Sequence, residues 1–145
     1  MKISKYFNLK EFVRSGLAAK NHIDNTPSPA EVENLKWLAR NVLDELRYYE
    51  GKPLYVLSGY RCRELNQKVP GAVYNSQHIT GEAADVTFGD KYANQRAFDF
   101  LDDMEFDQAI EYDDYSFLHI SFRRYSAKNR CQKLHKTTKN NTYEH

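Results

Sequence analysis

The strongest constraint on the fold is a long one-sided helix between Ser28 and Gly51. Ser28 reads as its N-cap, Pro29 fits the first turn and Glu31 completes a capping box. Val32, Leu35, Ala39, Val42, Leu46 and Tyr49 recur at three- and four-residue steps, and Trp37 and Leu38 widen the stripe. Gly51 stops the helix, with Pro53 just beyond. A helix greasy along one face needs a second layer to cover it, so this segment is scaffold.

The rest of the chain supplies that layer. A short helix starts after Asn8, with Glu11 as the capping-box partner and Phe7, Leu9, Phe12 and Val13 on its apolar side. The stretch AAKNHIDNTPS then reads as a loop. Leu54 to Ser58 reads as a buried strand ending in a turn at Gly59, and Arg63 to Val69 as a brief helix broken by Pro70-Gly71. A loop follows, and Ala84 to Phe88 passes into a second strand. Gly89-Asp90 leads into a helix with Tyr92, Ala93, Ala97, Phe98 and Leu101 on its apolar face. Residues 106–112 and 117–122 are β-rich runs that predict a hairpin. In the second run Phe117, His119 and Ser121 share one face, and Leu118, Ile120 and Phe122 the other. Capped helices early and β-rich runs late predict an α+β fold, with N-terminal helices packed on a small antiparallel sheet. At 145 residues the chain has the size of one domain, expected over 1–125. Residues 126–145 read as a polar, basic, poorly ordered tail.

Charge and composition exclude several roles. The formal net charge is +1, which argues against a general nucleic-acid binder. No run approaches the ~20 apolar residues of a membrane span. MKISKYFNLKEF has no apolar core of a signal peptide, so the expected site of synthesis is the cytoplasm. Cys62 and Cys131 form no CxxC pair and read as free thiols, with one long-range disulfide the alternative. The expected state is a monomer.

The stretch NSQHITGEAADV holds a histidine and two carboxylates beside residues with almost no side chain. His78 and Asp85 are too far apart to be neighbours on a helix, but a loop that doubles back into a strand brings such a pair together. Gly81 permits the turn, and Ala83 and Ala84 leave room for an ion. His119, on the polar face of a late strand, is the candidate third ligand. On spacing alone two readings stay open: a metal site, or a turn, a strand cap and a hydrogen-bonded sheet histidine.

SGYRCRELN, NSQHITGEAADV and FDQAIEYDDYSFLHISF, in that order, resemble the zinc D-Ala-D-Ala carboxypeptidase family and its related phage endolysins. The family pattern is SGYR, then SxHxxGxAxD, then a late histidine flanked by apolar residues. Ser76, His78, Gly81, Ala83 and Asp85 fill the middle pattern. The N-terminal part also looks like short viral and bacterial members. The resemblance implies a Hedgehog/DD-peptidase-like fold in which His78, Asp85 and His119 bind Zn2+. It implies that Arg61 reaches a substrate carboxylate or carbonyl and that Ser76 hydrogen-bonds the substrate backbone. Gln108 matches a recurring residue that supports the site.

One position departs from the family. Several members place the acid/base as Glu-x-x-His, and Ser116 stands there in this chain. Asp114 is the nearest carboxylate upstream, with Asp113 and Glu111 as rivals, although aspartates at 113 and 114 also suit a plain turn. The expected function is zinc-dependent hydrolysis of a peptide bond in peptidoglycan stem peptides, as a D-Ala-D-Ala carboxypeptidase or an endolysin-type endopeptidase acting at the cell wall after delivery. The competing class is a catalytically silent, zinc-containing module that binds peptidoglycan or is structural. A Hedgehog-like signalling domain is a third, weaker reading.

Overall fold

The computed structural model describes residues 1–125 and 128–137. The helix that opens at Ser28 runs through three consecutive segments. α3 spans Pro29–Leu38, one π turn follows at Ala39–Leu43, and α4 spans Asp44–Glu50. The capping box is present: Glu31 N–H donates to Ser28 Oγ, and Ser28 N–H donates to Glu31 Oε1 at 2.8 Å. Gly51 closes α4 in the left-handed region at φ 73°. Leu35, Leu38, Ala39, Val42, Leu43 and Leu46 are buried along one side. The π turn inserts one extra residue, which shifts the stripe downstream. Tyr49 therefore leaves the core and lies flat on Phe100, with ring centroids 3.9 Å apart.

α1 (Leu9–Val13) opens on the Asn8–Glu11 capping box, and α2 (Gly16–Lys20) is capped by Ser15 Oγ. α2 is a correction, since its last three residues fall in the stretch expected to be loop. β1 (Tyr55–Ser58), α5 (Arg63–Lys68), β2 (Ala83–Thr87), α6 (Lys91–Phe100), β3 (Gln108–Tyr112) and β4 (Leu118–Ser121) follow the expected order.

The architecture is α+β, as the pattern of caps and alternation predicts. The sheet is five-stranded, in the order β1-β2-β4-β3-β5. Its first four strands pair antiparallel. The fifth, β5 (Gln132–Lys136), runs parallel to β3 and makes the sheet mixed. This corrects the reading of residues 126–145 as a poorly ordered tail for its described part: residues 132–136 are a strand, and residues 138–145 lie outside the described residues. Buried Asp107 anchors the approach to β5, accepting from Arg130 Nε and Nη2 at 3.0 and 2.9 Å and from the Arg130 amide at 3.1 Å.

The two sheet faces do different work. Val56, Ala84, Val86, Ala109, Leu118 and Ile120 face the helices and join the main core. On the other face Ile110, Tyr112 and Phe117 form a smaller cluster with Leu57 and Leu134. The register sets Asp85 opposite His119, His119 opposite Ile110 and Ile110 opposite Leu134, one row across four strands. The register of β1 on β2 shifts between Val56 and Ser58, a bulge beside the polar end of that row.

Candidate metal centre

His78 is held by its surroundings before any ligand is considered. Ser76 Oγ accepts the His78 amide at 3.1 Å, and the Arg61 amide donates to the His78 carbonyl at 3.0 Å. His78 Nδ1 lies 2.7 Å from Gly59 O. A carbonyl only accepts, so Nδ1 carries the proton and Nε2 presents its lone pair. That Nε2 faces Asp85 Oδ2 at 3.4 Å. Gly59 reaches this position because it has no side chain: a Cβ there would sit 2.6 Å from Phe12 O.

Gly81 makes the return turn at φ 77°, where a Cβ would sit 2.5 Å from Glu31 O. Both counts exclude a larger residue, so the long helix shapes the loop between His78 and Asp85 directly. The turn delivers Asp85 on β2, facing His119 on β4. His119 Nδ1 lies 2.9 Å from Asp85 Oδ1, and the two imidazole centroids are 5.2 Å apart. One ligand atom from each of His78, Asp85 and His119 falls within 4.8 Å of the other two. The expected trio is thus brought together by three different parts of the chain.

Burial would raise the Asp85 carboxyl, but His78 and His119 override it and hold Asp85 well below the usual carboxylate range. Burial pushes the His78 imidazole down, with Asp85 opposing. Asp85 is therefore ionised and His78 neutral, the protonation states that metal ligation requires. Two imidazoles and one carboxylate form a donor set suited to a divalent transition ion.

Arg61 is buried beside them. Its guanidinium donates to Ser58 Oγ at 3.0 Å, Asn66 Oδ1 at 3.2 Å and Asp85 Oδ2 at 3.4 Å. Burial lowers its pKa and Asp85 opposes the shift. The trio and Arg61 open into a cavity of about 480 Å³, which Ser76 and Gln108 also line. Tyr112 borders it from β3 and stacks on Phe117, with centroids 4.4 Å apart. Burial raises the Tyr112 phenol and Asp85 adds to the shift, so its hydroxyl keeps its proton.

The expected acid/base carboxylates are elsewhere. Asp114 is exposed in the β3–β4 turn, and its Oδ1 accepts the Ser116 amide at 3.0 Å. Glu111 alternates onto the sheet face opposite Ile110 and Tyr112 and meets His135 Nδ1 at 3.2 Å. Asp113 meets His135 Nε2. None of the three lines the cavity, and Asp85 is the sole carboxylate among the described residues that do. The physical reason is the turn, which begins where β3 ends and carries residues 113 and 114 away from the site face. Glu82 is hydrogen-bonded to Thr80 Oγ1 and borders a neighbouring hollow of about 370 Å³.

Ser58, Asn66, Asp107 and Tyr112 were not singled out by sequence. Asp107 had one local sign, its place beside Gln108 in FDQ. Cys62 and Cys131 are free thiols, and Cys62 Sγ caps α5.

The chain matches the family Peptidase M15 over residues 5–121. No curated protein matches it. The match spans Arg61, His78, Asp85 and His119 and most of the chain, and the protein belongs to the peptidase M15 family.

Proposed function

We propose that this peptidase is a zinc enzyme that hydrolyses a peptide bond in peptidoglycan stem peptides, as a D-Ala-D-Ala carboxypeptidase or an endolysin-type endopeptidase. The observation that carries the reading is the convergence of His78, Asp85 and His119 within 4.8 Å at the floor of one cavity. Those three side chains would hold the ion. Zn2+ with three protein ligands keeps one position open, lowers the pKa of water and polarises a carbonyl. The chain's own groups then bind and orient. The Gly59 carbonyl fixes the His78 tautomer, and Arg61 holds Asp85 while its planar fork clamps a substrate carboxylate or carbonyl. Ser76 offers its hydroxyl to the substrate backbone. Tyr112, protonated and beside the floor, donates a hydrogen bond to charge developing on the scissile carbonyl. Action is at the cell wall, by a single chain delivered through a lysis route.

A second reading has its own observation. The cavity holds no second carboxylate among the described residues to take a proton from water, which favours a silent module that holds metal and peptide without cutting. One experiment separates the two. Protein purified without added metal is assayed for metal content and then incubated with muropeptides, with products read by mass spectrometry. Bound zinc with a new fragment supports the peptidase. Bound zinc with unchanged muropeptides supports the silent module, and absence of zinc removes both.

A further inference from the structure

Asp107 is a fully buried carboxylate that the proposed chemistry does not use. It stands at a corner of the sheet, just before β3. Its amide donates to the Ser121 carbonyl at the end of β4, and its carbonyl accepts the Gln132 amide at the start of β5. Two arginines supply the cations that a buried charge needs, with Arg130 Nη2 at 2.9 Å and Arg123 Nε at 3.3 Å from Asp107 Oδ2. Burial would raise its carboxyl, but the hydrogen bonds from Arg130 and Gln77 override it and keep Asp107 ionised. One of these donors is not a cation: Gln77 Nε2 lies 2.8 Å from the same Oδ2. A carboxylate only accepts, so the amide NH2 of Gln77 faces it.

Gln77 stands between Ser76 and His78 in the chain, at the start of the turn that runs to Glu82. Its carbonyl closes that turn, accepting the Thr80 hydroxyl at 3.1 Å and the Glu82 amide at 3.0 Å. The far end of the turn is docked on the sheet by the Phe122 amide, which donates to the Glu82 carbonyl at 2.9 Å. The near end is docked by the Gln77 side chain, through Asp107. Attachment at both ends fixes how the turn sits against β2 and β4, the strands that carry Asp85 and His119. The Gly59 carbonyl sets the tautomer of His78, and Asp107 sets the seat of the turn that presents it.

We propose that Asp107 is a positioning residue for the metal centre: through Gln77 it seats the turn that carries Ser76 and His78 against the strands that carry Asp85 and His119. This inference rests on the reading of His78 as a metal ligand. Asp107 touches neither ion nor substrate. It acts by confining His78 Nε2 to the ligand position, so that less ordering is left for the ion to impose.

The test uses the full chain and reads zinc affinity by competition with a chelator, together with urea stability of the metal-free form. Gln77→Met keeps the side-chain length, removes the amide and leaves both arginines on Asp107. It should lower zinc affinity by about tenfold, the low end of the range for loss of an outer partner, with metal-free stability close to the parent's. Asp107→Asn should lower both. Adding Gln77→Met to Asp107→Asn should cost no further affinity, since the two residues act as one contact. Asn129→Ala is the control for a merely structural effect. It removes the hydrogen bonds of Asn129 to Arg123 and Glu105 in the same corner, and it should lower stability with affinity unchanged. Zinc affinity in Gln77→Met equal to the parent's overturns the proposal, as does a fully additive double variant. A parent that binds no zinc overturns the metal reading alone. Hydrogen exchange at the Glu82 amide of the metal-free chain then decides the seat: faster exchange in Gln77→Met supports it, and equal exchange overturns it.

Discussion

Two clusters of histidine and carboxylate sit on this sheet, and they behave in opposite ways. At the centre, His78 and His119 flank Asp85, which is 3% exposed. At the edge, Glu111 and Asp113 flank exposed His135. In the centre burial dominates and drives the His78 pKa down. At the edge the hydrogen bonds that His135 donates to Asp113 and Glu111 dominate and drive its pKa up. The same side chains thus give a neutral imidazole in one place and a solvated, charge-linked strap in the other. What separates them is water, since a desolvated charge needs a partner and an exposed pair is screened.

The largest effect should come from breaking the buried cluster. Asp85→Asn keeps the shape but removes the carboxylate charge that pairs with buried Arg61. Loss of one partner of a buried pair costs ~3–5 kcal/mol. Urea denaturation of the metal-free chain at neutral pH should show a loss of that size. Because the Asp85 pKa is depressed, its contribution is present above the ordinary carboxyl range and fades as pH falls through the lowered value. The parent should therefore lose stability on acidification more steeply than Asp85→Asn. Metal affinity should fall by more than the ~10–100-fold that loss of an outer partner causes. Equal stability of the two proteins would show that Asp85 is not tied into a charge network.

The contrast also explains what the sequence disclosed. Asp85 follows His78 through one tight loop, so its pattern is local, and Gly81 and the alanines mark it. The fold was legible where caps and alternation are local too, at Asn8, Ser28 and residues 117–122. The edge cluster was not. Glu111 and His135 are 24 positions apart and meet only through a parallel pairing that no turn announces. β5 carries a single apolar residue, Leu134, because an exposed edge strand is kept polar. Tyr49 went astray because a π turn leaves no mark in a three-four pattern. Asp114 looked well placed by counting from His119, but counting does not show where a strand stops.

The next effect is intermediate and tests that last point. A general base contributes ~10²–10⁴-fold, and a turn carboxylate outside the cavity contributes little. Asp114→Ala should keep kcat/KM on a muropeptide within about threefold of the parent, whereas Tyr112→Phe should lower it by more. Both variants should keep bound zinc. A collapse of turnover in Asp114→Ala, with zinc retained, would return the acid/base role to the turn and show that the loop closes on substrate.

The smallest effect belongs to the edge strap. The folded pKa of His135 lies above its ordinary value of 6.5. The hydrogen bonds to Asp113 and Glu111 therefore strengthen β5 most below that value and lose strength as pH rises through the raised one. The amide of Asp113 reports on this directly, since it donates to the Lys136 carbonyl at 3.1 Å. Its hydrogen-exchange protection factor, corrected for the intrinsic rate at each pH, should fall across that interval in the parent. In His135→Gln it should stay flat. Salt should shrink the parent's change, because the cluster is exposed, while leaving protection at Asp85 untouched. A protection factor at Asp113 that ignores both pH and the substitution would mean that the ladder from Gln132 to Lys136 holds β5 alone, and that the edge histidine is a bystander rather than a weaker counterpart of the centre.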